Sequence, residues 1–286
     1  MHGERIDWPN GAKLALSLVV NVEEGSEMTV ARGDRGMEPV DELGIHIKSP
    51  IRNYGNESNY LYGIKAGAPR IVQLLRERGL AASWTVAAMS LETHPEIAQA
   101  IRDLGHEAVS HGWRWVHQFK LSEDDERTFI ARATDSIATT TGTRPYGWLS
   151  RYFHTDNTRR LLIEAGYDYH MDDYSGDVPF VDADTVQGRT IAIVPYQLDT
   201  NDMKMWTDPA YTPRLWLDYA RDTFDQLYRE GAGGAPKLMS LGLHLRIIGR
   251  PGRFWALEAF LDHVAKHSVV WVATRGDIAR VVRPRG

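Results

Sequence analysis

Apolar stretches of strand length recur along the chain, and most are followed by a segment whose apolar residues fall at helical spacing. "KLALSLVVN" (residues 13–21) is continuously apolar and predicts a buried strand. "AASWTVAA" (81–88), "HEAVS" (106–110), "YGWL" (146–149), "YDYHM" (167–171), "TIAIVPY" (190–196), "KLMSLGLH" (237–244) and "VVWVAT" (269–274) predict further strands. Between them lie helical patterns. In "GAPRIVQLLRERG" (67–79), Ile71, Leu74 and Leu75 share one face, Pro69 sits in the first turn and Gly79 ends the run. Residues 94–105, 154–166, 213–231 and 251–267 read the same way, and 275–282 as a short helix. The clearest helix spans 122–142, with Ser122 as N-cap and acids in its first turn. Residues 23–62, rich in Gly, Glu, Asn and Pro, predict a long irregular loop that serves as a lid or a subunit contact.

Strand–helix alternation predicts a parallel sheet covered by helices. Seven or eight strands suggest closure into a barrel. An open doubly wound sheet is the alternative, but it usually carries a glycine-rich phosphate loop after its first strand. The corresponding "NVEEGSE" is acidic and would repel phosphate. No Pro/Ser-rich linker interrupts the pattern, so residues 1–286 read as one domain.

Composition narrows the function classes. At 286 residues, 43% hydrophobic and 25% charged, the chain has ordinary globular proportions. It has no cysteine, which excludes disulfides and thiolate metal sites and fits a cytoplasmic protein, a cysteine-free periplasmic one being the alternative. The opening "MHGERIDWPNGAK" lacks the apolar core of a signal peptide. The longest apolar run, 14–20, is too short to span a bilayer. A net charge of -5 with mixed signs and no basic tract argues against nucleic acid as a partner. Nine Trp and twelve Tyr suit core and interface packing, or a pocket walled by flat rings.

In barrels of this kind the active site lies where strands run into helices. Polar residues stand at several such ends. Glu23 and Glu24 follow the first strand, His111 the third, Asp172 and Asp173 the fifth, and His244 the penultimate one, with Arg246 just beyond; Arg144 and Pro145 precede the fourth. Each has a structural alternative: a solvated acid pair, a capping histidine, a surface ion pair, a turn cap. His2, His94, His106, His263 and His267 fall at helix ends or exposed positions and receive no function.

The order of acid pair, "SHGWRW", "TRPYG", a late acid and "LGLH" resembles the polysaccharide deacetylase (NodB homology) superfamily over roughly residues 14–272. That resemblance implies a distorted (β/α) barrel of about seven strands. It further implies Glu23 as the base, Glu24 in the place of a metal-binding acid and His111 in the place of the first ligand histidine. Arg144 corresponds to the arginine that braces the base, His244 to the general acid, and Asp173 more loosely to the late acid. Two departures stand out: both acids are Glu rather than Asp, and Trp115 occupies the position of the second ligand histidine. "NVEEG", "NYGNESNYLYGIKAG" and "DNTRRLLIEAGYDY" resemble the branch of cofactor-independent allantoinases and cyclic-imide hydrolases, whose members tend to be homotetramers.

Catalytic zinc usually has three protein ligands and a water. Trp115 reduces the inherited set to Glu24 and His111, and His117, two residues on, points another way from a strand or a helix. The expectation is therefore a hydrolase that opens a small cyclic amide by carboxylate-activated water and requires no cofactor. Glu23 or Glu24 would be the base, His111 would orient water or substrate, and Arg144 would keep the base ionised. His244 would protonate the leaving nitrogen, and Trp115 would form a flat wall. Zinc held by Glu24 and His111 is the alternative, in a metal-dependent N-deacetylase of an amino sugar or peptidoglycan; a catalytically silent barrel is another. The expected partners are a small-molecule substrate and further copies of the chain, with 53–62 as a segment that could reach a neighbour.

Overall fold

The first strand, β1 (Leu14–Val22), is buried at every position, as its unbroken apolar run demands. The remaining strands are β2 (Ser83–Val86), β3 (Glu107–Ser110), β4 (Gly147–Trp148), β5 (Tyr169–His170), β6 (Phe180–Val181), β7 (Ala192–Ile193), β8 (Lys237–His244) and β9 (Val270–Val272). On one side β1 pairs in parallel with β8, from Leu14 opposite Lys237 to Asn21 opposite His244. On the other side its first half pairs with β9 and its second half with β2. The sheet then runs β6-β7-β5-β4-β3-β2-β1-β8. All pairings are parallel except that of β6 with β7. This computed structural model describes residues 6–283 except 42, 43, 45, 46, 48 and 184, so His2 lies outside the described residues.

The sheet curls into a half-barrel of the expected NodB-like (β/α) kind. Its ends, β6 and β8, share no ladder. Hydrogen bonds from the connecting loops span the gap: Leu238 N–H donates to the Asp177 carbonyl at 2.8 Å, and Gln197 Nε2 donates to the Leu238 carbonyl at 3.0 Å. The helices cover the outside: α1 (Tyr54–Tyr62), α2 (Ala68–Arg78), α3 (Ala88–Thr93), α4 (Pro95–Asp103), α5 (Glu123–Thr141), α6 (Thr158–Glu164), α7 (Pro213–Ala232), α8 (Pro251–Val264) and α9 (Arg275–Val282). Trp84, Trp148 and Trp216 are fully buried among them, which answers for part of the tryptophan content.

One expectation fails usefully. Residues 23–62 are not wholly irregular, because Asn53 caps α1, its side chain accepting from Asn56 N–H at 2.9 Å. A π-turn, Gly63–Gly67, carries α1 into α2. The two glycines are needed by close approach. A Cβ on Gly63 would stand 2.5 Å from Glu24 Oε1, and one on Gly67 would run into the Leu245 carbonyl. This helical strap lies directly over the acid pair. It turns Tyr60 and Asn56 inward and leaves Tyr54 outside.

Candidate active site

β1 and β8 are neighbours in register, and this adjacency builds the site. Asn21 stands opposite His244, so the residues that follow β1 emerge beside the end of β8. β3 ends at Ser110 and delivers His111 to the same rim. Glu23 Oε1 lies 3.5 Å from His244 Nε2 and 3.7 Å from His111 Nε2. All three are almost fully buried. With Asn21, Trp115, Arg151, Tyr152, Tyr174, Tyr196, Leu198, Asn201, Lys204 and Thr207, among others, they line a cavity of about 190 Å³.

Of the seven residues expected at the site, four therefore face this cavity: Glu23, His111, Trp115 and His244. The other three do not. Glu24 is completely buried behind Glu23: its Oε2 accepts the Glu23 N–H at 3.0 Å and its Oε1 lies 3.4 Å from Arg246. Arg144 precedes β4, so it sits at the opposite end of the sheet. There it donates to the Ala165 carbonyl and borders a separate cavity with Arg102, Glu107 and Asp277. Asp173 caps its own turn, accepting from Ser175 N at 3.0 Å, and lies 3.5 Å from Arg159.

The residue that braces the acid pair is Arg246, two positions past His244. Its NH1 donates to Glu23 Oε2 at 2.8 Å and lies 3.4 Å from Glu24 Oε1. The guanidinium is fully buried in an aromatic surround, 4.3 Å from the Tyr60 ring centre and 5.6 Å from those of Trp115 and Trp206. The Arg151 guanidinium lies 3.6 Å from the Trp115 ring centre and pairs with buried Glu38 from the long loop.

These neighbours set the charge states. Burial would push Glu23 up, but Arg246, His244 and hydrogen bonds from both histidines hold its carboxyl well below the usual carboxylate range. Glu24 goes the other way: burial raises it, Arg246 opposes, and the Glu23 charge raises it further. Burial would lower His244, yet Asp202 and Glu23 outweigh it and raise the imidazole to about 9. Asp202 was not anticipated. It opens a 3-10 turn (Asp202–Met205) capped by Asn201, and is fully buried. One oxygen accepts His244 Nδ1–H at 2.6 Å, and the other accepts the backbone N–H of His244 at 2.7 Å and of Ile248 at 3.1 Å. His111 is fixed differently. Its Nδ1 faces the Leu149 carbonyl at 2.7 Å and must donate to it, which turns Nε2 toward Glu23.

The residues at the mouth do not fit a catalytic metal. A guanidinium already compensates the two carboxylates, both Glu24 oxygens are engaged away from His111, and Trp115 offers no donor atom for a metal. Among the described residues, the only group of three or more His, Asp or Glu whose ligand atoms lie within 4.8 Å of one another is elsewhere, at Asp225, His263 and His267. His117, the other candidate ligand, turns its Nδ1 to the Arg151 carbonyl at 3.1 Å.

The curled, mostly parallel sheet matches the NodB-like (β/α) barrel of its structural neighbours. Residues 59–170 match the Polysaccharide deacetylase family. The chain is 34% identical to the Schizosaccharomyces pombe protein named "Putative polysaccharide deacetylase", over 96% of this chain and 91% of the relative. The chain belongs to the polysaccharide deacetylase family. It is 25% identical to the Helicobacter pylori peptidoglycan deacetylase over 80% of its own length and 90% of that protein. Among solved structures it resembles PuuE allantoinase, with 36% identity, a TM-score of 0.94 and coverage of 100% of this chain and 96% of that one.

Proposed function

We propose that this chain hydrolyses a small cyclic amide, a ureide or imide, without a metal. The observation that carries the reading is Arg246: a fixed cation stands against Glu23 and Glu24 where a metal-dependent relative would need an ion. Cavity size supports it, since about 190 Å³ is below the roughly 300–1,000 Å³ of sites for drug-sized ligands and suits a single small ring. The likeness to an allantoinase agrees with it.

In this reading, water sits between Glu23 Oε1 and His111 Nε2 and gives up its proton to Glu23. A carboxylate held so far below its usual range is a weak base, so the carbonyl must be a good electrophile. An imide or ureide carbonyl qualifies because its departing nitrogen is a stabilised anion; a sugar acetamide does not. His244, charged at neutral pH, donates to the developing oxyanion or to that nitrogen. Trp115 walls the ring, and Asn201 and Lys204 supply hydrogen bonds to its polar edge. A metal-dependent N-deacetylase is the second reading, favoured by the names of the S. pombe and H. pylori relatives. A screen of allantoin, hydantoin, succinimide and N-acetylated chitooligosaccharides, each with and without EDTA, separates the two. The proposal expects a ring to open equally in both conditions; turnover confined to the oligosaccharides and abolished by EDTA refutes it.

A further inference from the structure

On the outside of the barrel, α7 and α8 pack together and bring Asp225, His263 and His267 to one spot. His263 sits in the last turn of α8, and His267 follows three residues past its end, where the chain turns back so that both rings meet. Asp225 reaches them from the middle of α7. His263 Nε2 lies 2.7 Å from Asp225 Oδ1, and His267 Nε2 lies 3.8 Å from the same oxygen. Both imidazoles are braced. Phe224 stands edge-on to both rings at 5.6 and 5.0 Å, and Tyr228 packs on His267 at 5.1 Å. His267 Nδ1 faces the His263 carbonyl at 3.0 Å and must donate to it. That bond fixes the tautomer with the Nε2 lone pair directed at the cluster, the second-shell arrangement of a metal-bound histidine.

We propose that Asp225, His263 and His267 form a binding site for a divalent transition ion, zinc or nickel by donor type, that clamps α7 to α8. Two imidazoles and a carboxylate suit these ions rather than calcium or magnesium. Ligands about 2.0–2.1 Å from a tetrahedral zinc lie about 3.3 Å apart. The observed 2.7 and 3.8 Å bracket that spacing, so side-chain rotation of about half an ångström forms the site without moving the helices. The ligands are half-buried, which leaves the fourth position to water and the ion a path in. Since α8 runs back from the rim where β8 ends, this site lies at the far end of the barrel from Glu23. It is a structural clamp, not a catalytic centre.

The test uses tag-free, chelator-treated full chain titrated with zinc chloride and with nickel chloride by calorimetry, alongside thermal melting. The expected result is one equivalent bound, with a metal-dependent rise in Tm. His267→Ala and Asp225→Ala should each weaken binding at least tenfold and abolish the rise, while Glu23→Gln binds as the wild type does. Circular dichroism of the metal-free variants reports their folding. If His267→Ala is unfolded, His267→Gln takes its place, since an amide preserves size but not the imidazole donor. Absence of saturable binding to the wild type, or wild-type binding by the folded variants, overturns the proposal. Loss of binding in Glu23→Gln with retention in Asp225→Ala would place the ion at the rim instead.

Discussion

Replacing Asp202 by Asn tests how the site is charged. Asp202 holds His244 through its Nδ1–H and its backbone N–H, and its negative charge is the leading influence that raises the imidazole to about 9 against the opposing effect of burial. Without that charge, burial is opposed mainly by Glu23, and His244 falls to near or below the 6.5 of a free imidazole. The sign follows directly. His244 acts in its protonated form, so activity is present below its pKa and lost above it. At pH 8 about nine-tenths of the wild type carries the proton, against about 3% of a variant at 6.5, a loss of about 30-fold. Near pH 5.5 both are largely protonated, and the deficit shrinks to within about twofold. The assay is kcat/KM against pH from 5 to 10 on the ring substrate found by the screen, with folding checked by circular dichroism at each end. The wild-type profile should fall with an apparent pKa near 9, and the variant's fall should move two units or more toward acid. A variant profile that keeps its basic limb near 9, or a uniform loss at every pH, would show that Asp202 does not govern the acid. The same raised pKa means that the stability contributed by the His244 ion pairs is complete below about 6.5 and lost as pH climbs through about 9.

Other substitutions separate residues that the sequence treated alike. Glu23→Gln should abolish turnover, with kcat down at least 100-fold, while Glu24→Gln should retain substantial kcat because its oxygens face Arg246 and the backbone rather than the cavity; equal losses would contradict that division. Arg246→Met removes a buried cation from two buried carboxylates, so urea unfolding at pH 7 should show a loss of about 3–5 kcal/mol, together with loss of activity. Arg144→Gln should leave kcat/KM within twofold of wild type, since it lies at the other end of the sheet; a 100-fold loss there would restore it to the site.

The fold was legible where hydrophobic period and end signals coincided. β8 has the expected bounds, and α7 and α8 begin as expected at Pro213 and Pro251. β4, β5 and β7 read as segments of four to seven residues, but each is only two residues long. The flanking Leu149, Tyr167, Met171, Ile191 and Val194 are buried as well, so the apolar pattern reports burial beyond the paired residues. β6 left no trace because both its residues are exposed and it is two residues long. The acid pair and both histidines of the site were legible because a buried strand must deliver its next residue to the rim. Arg144 was misplaced by motif likeness over position: it precedes its strand and so stands at the end of the sheet opposite the mouth. Arg246 met that positional rule and was noted beside His244, yet nothing local revealed that it would fold back onto Glu23. Asp202 stands nine residues past β7, with no periodicity around it, and its partnership with His244 spans 42 residues.

In the proposed mechanism, Arg246 supplies the charge a metal would bring to Glu23 and Glu24. The direct measurement is ring-substrate turnover by protein treated with chelator and shown by elemental analysis to hold less than about 0.05 equivalents of any transition ion. His267→Ala serves as the parallel sample, so that ions held outside the barrel are not counted at the mouth. Undiminished kcat, unchanged on adding back zinc, is the predicted result; turnover that vanishes with the ion and returns in proportion to added zinc in both proteins would contradict the account.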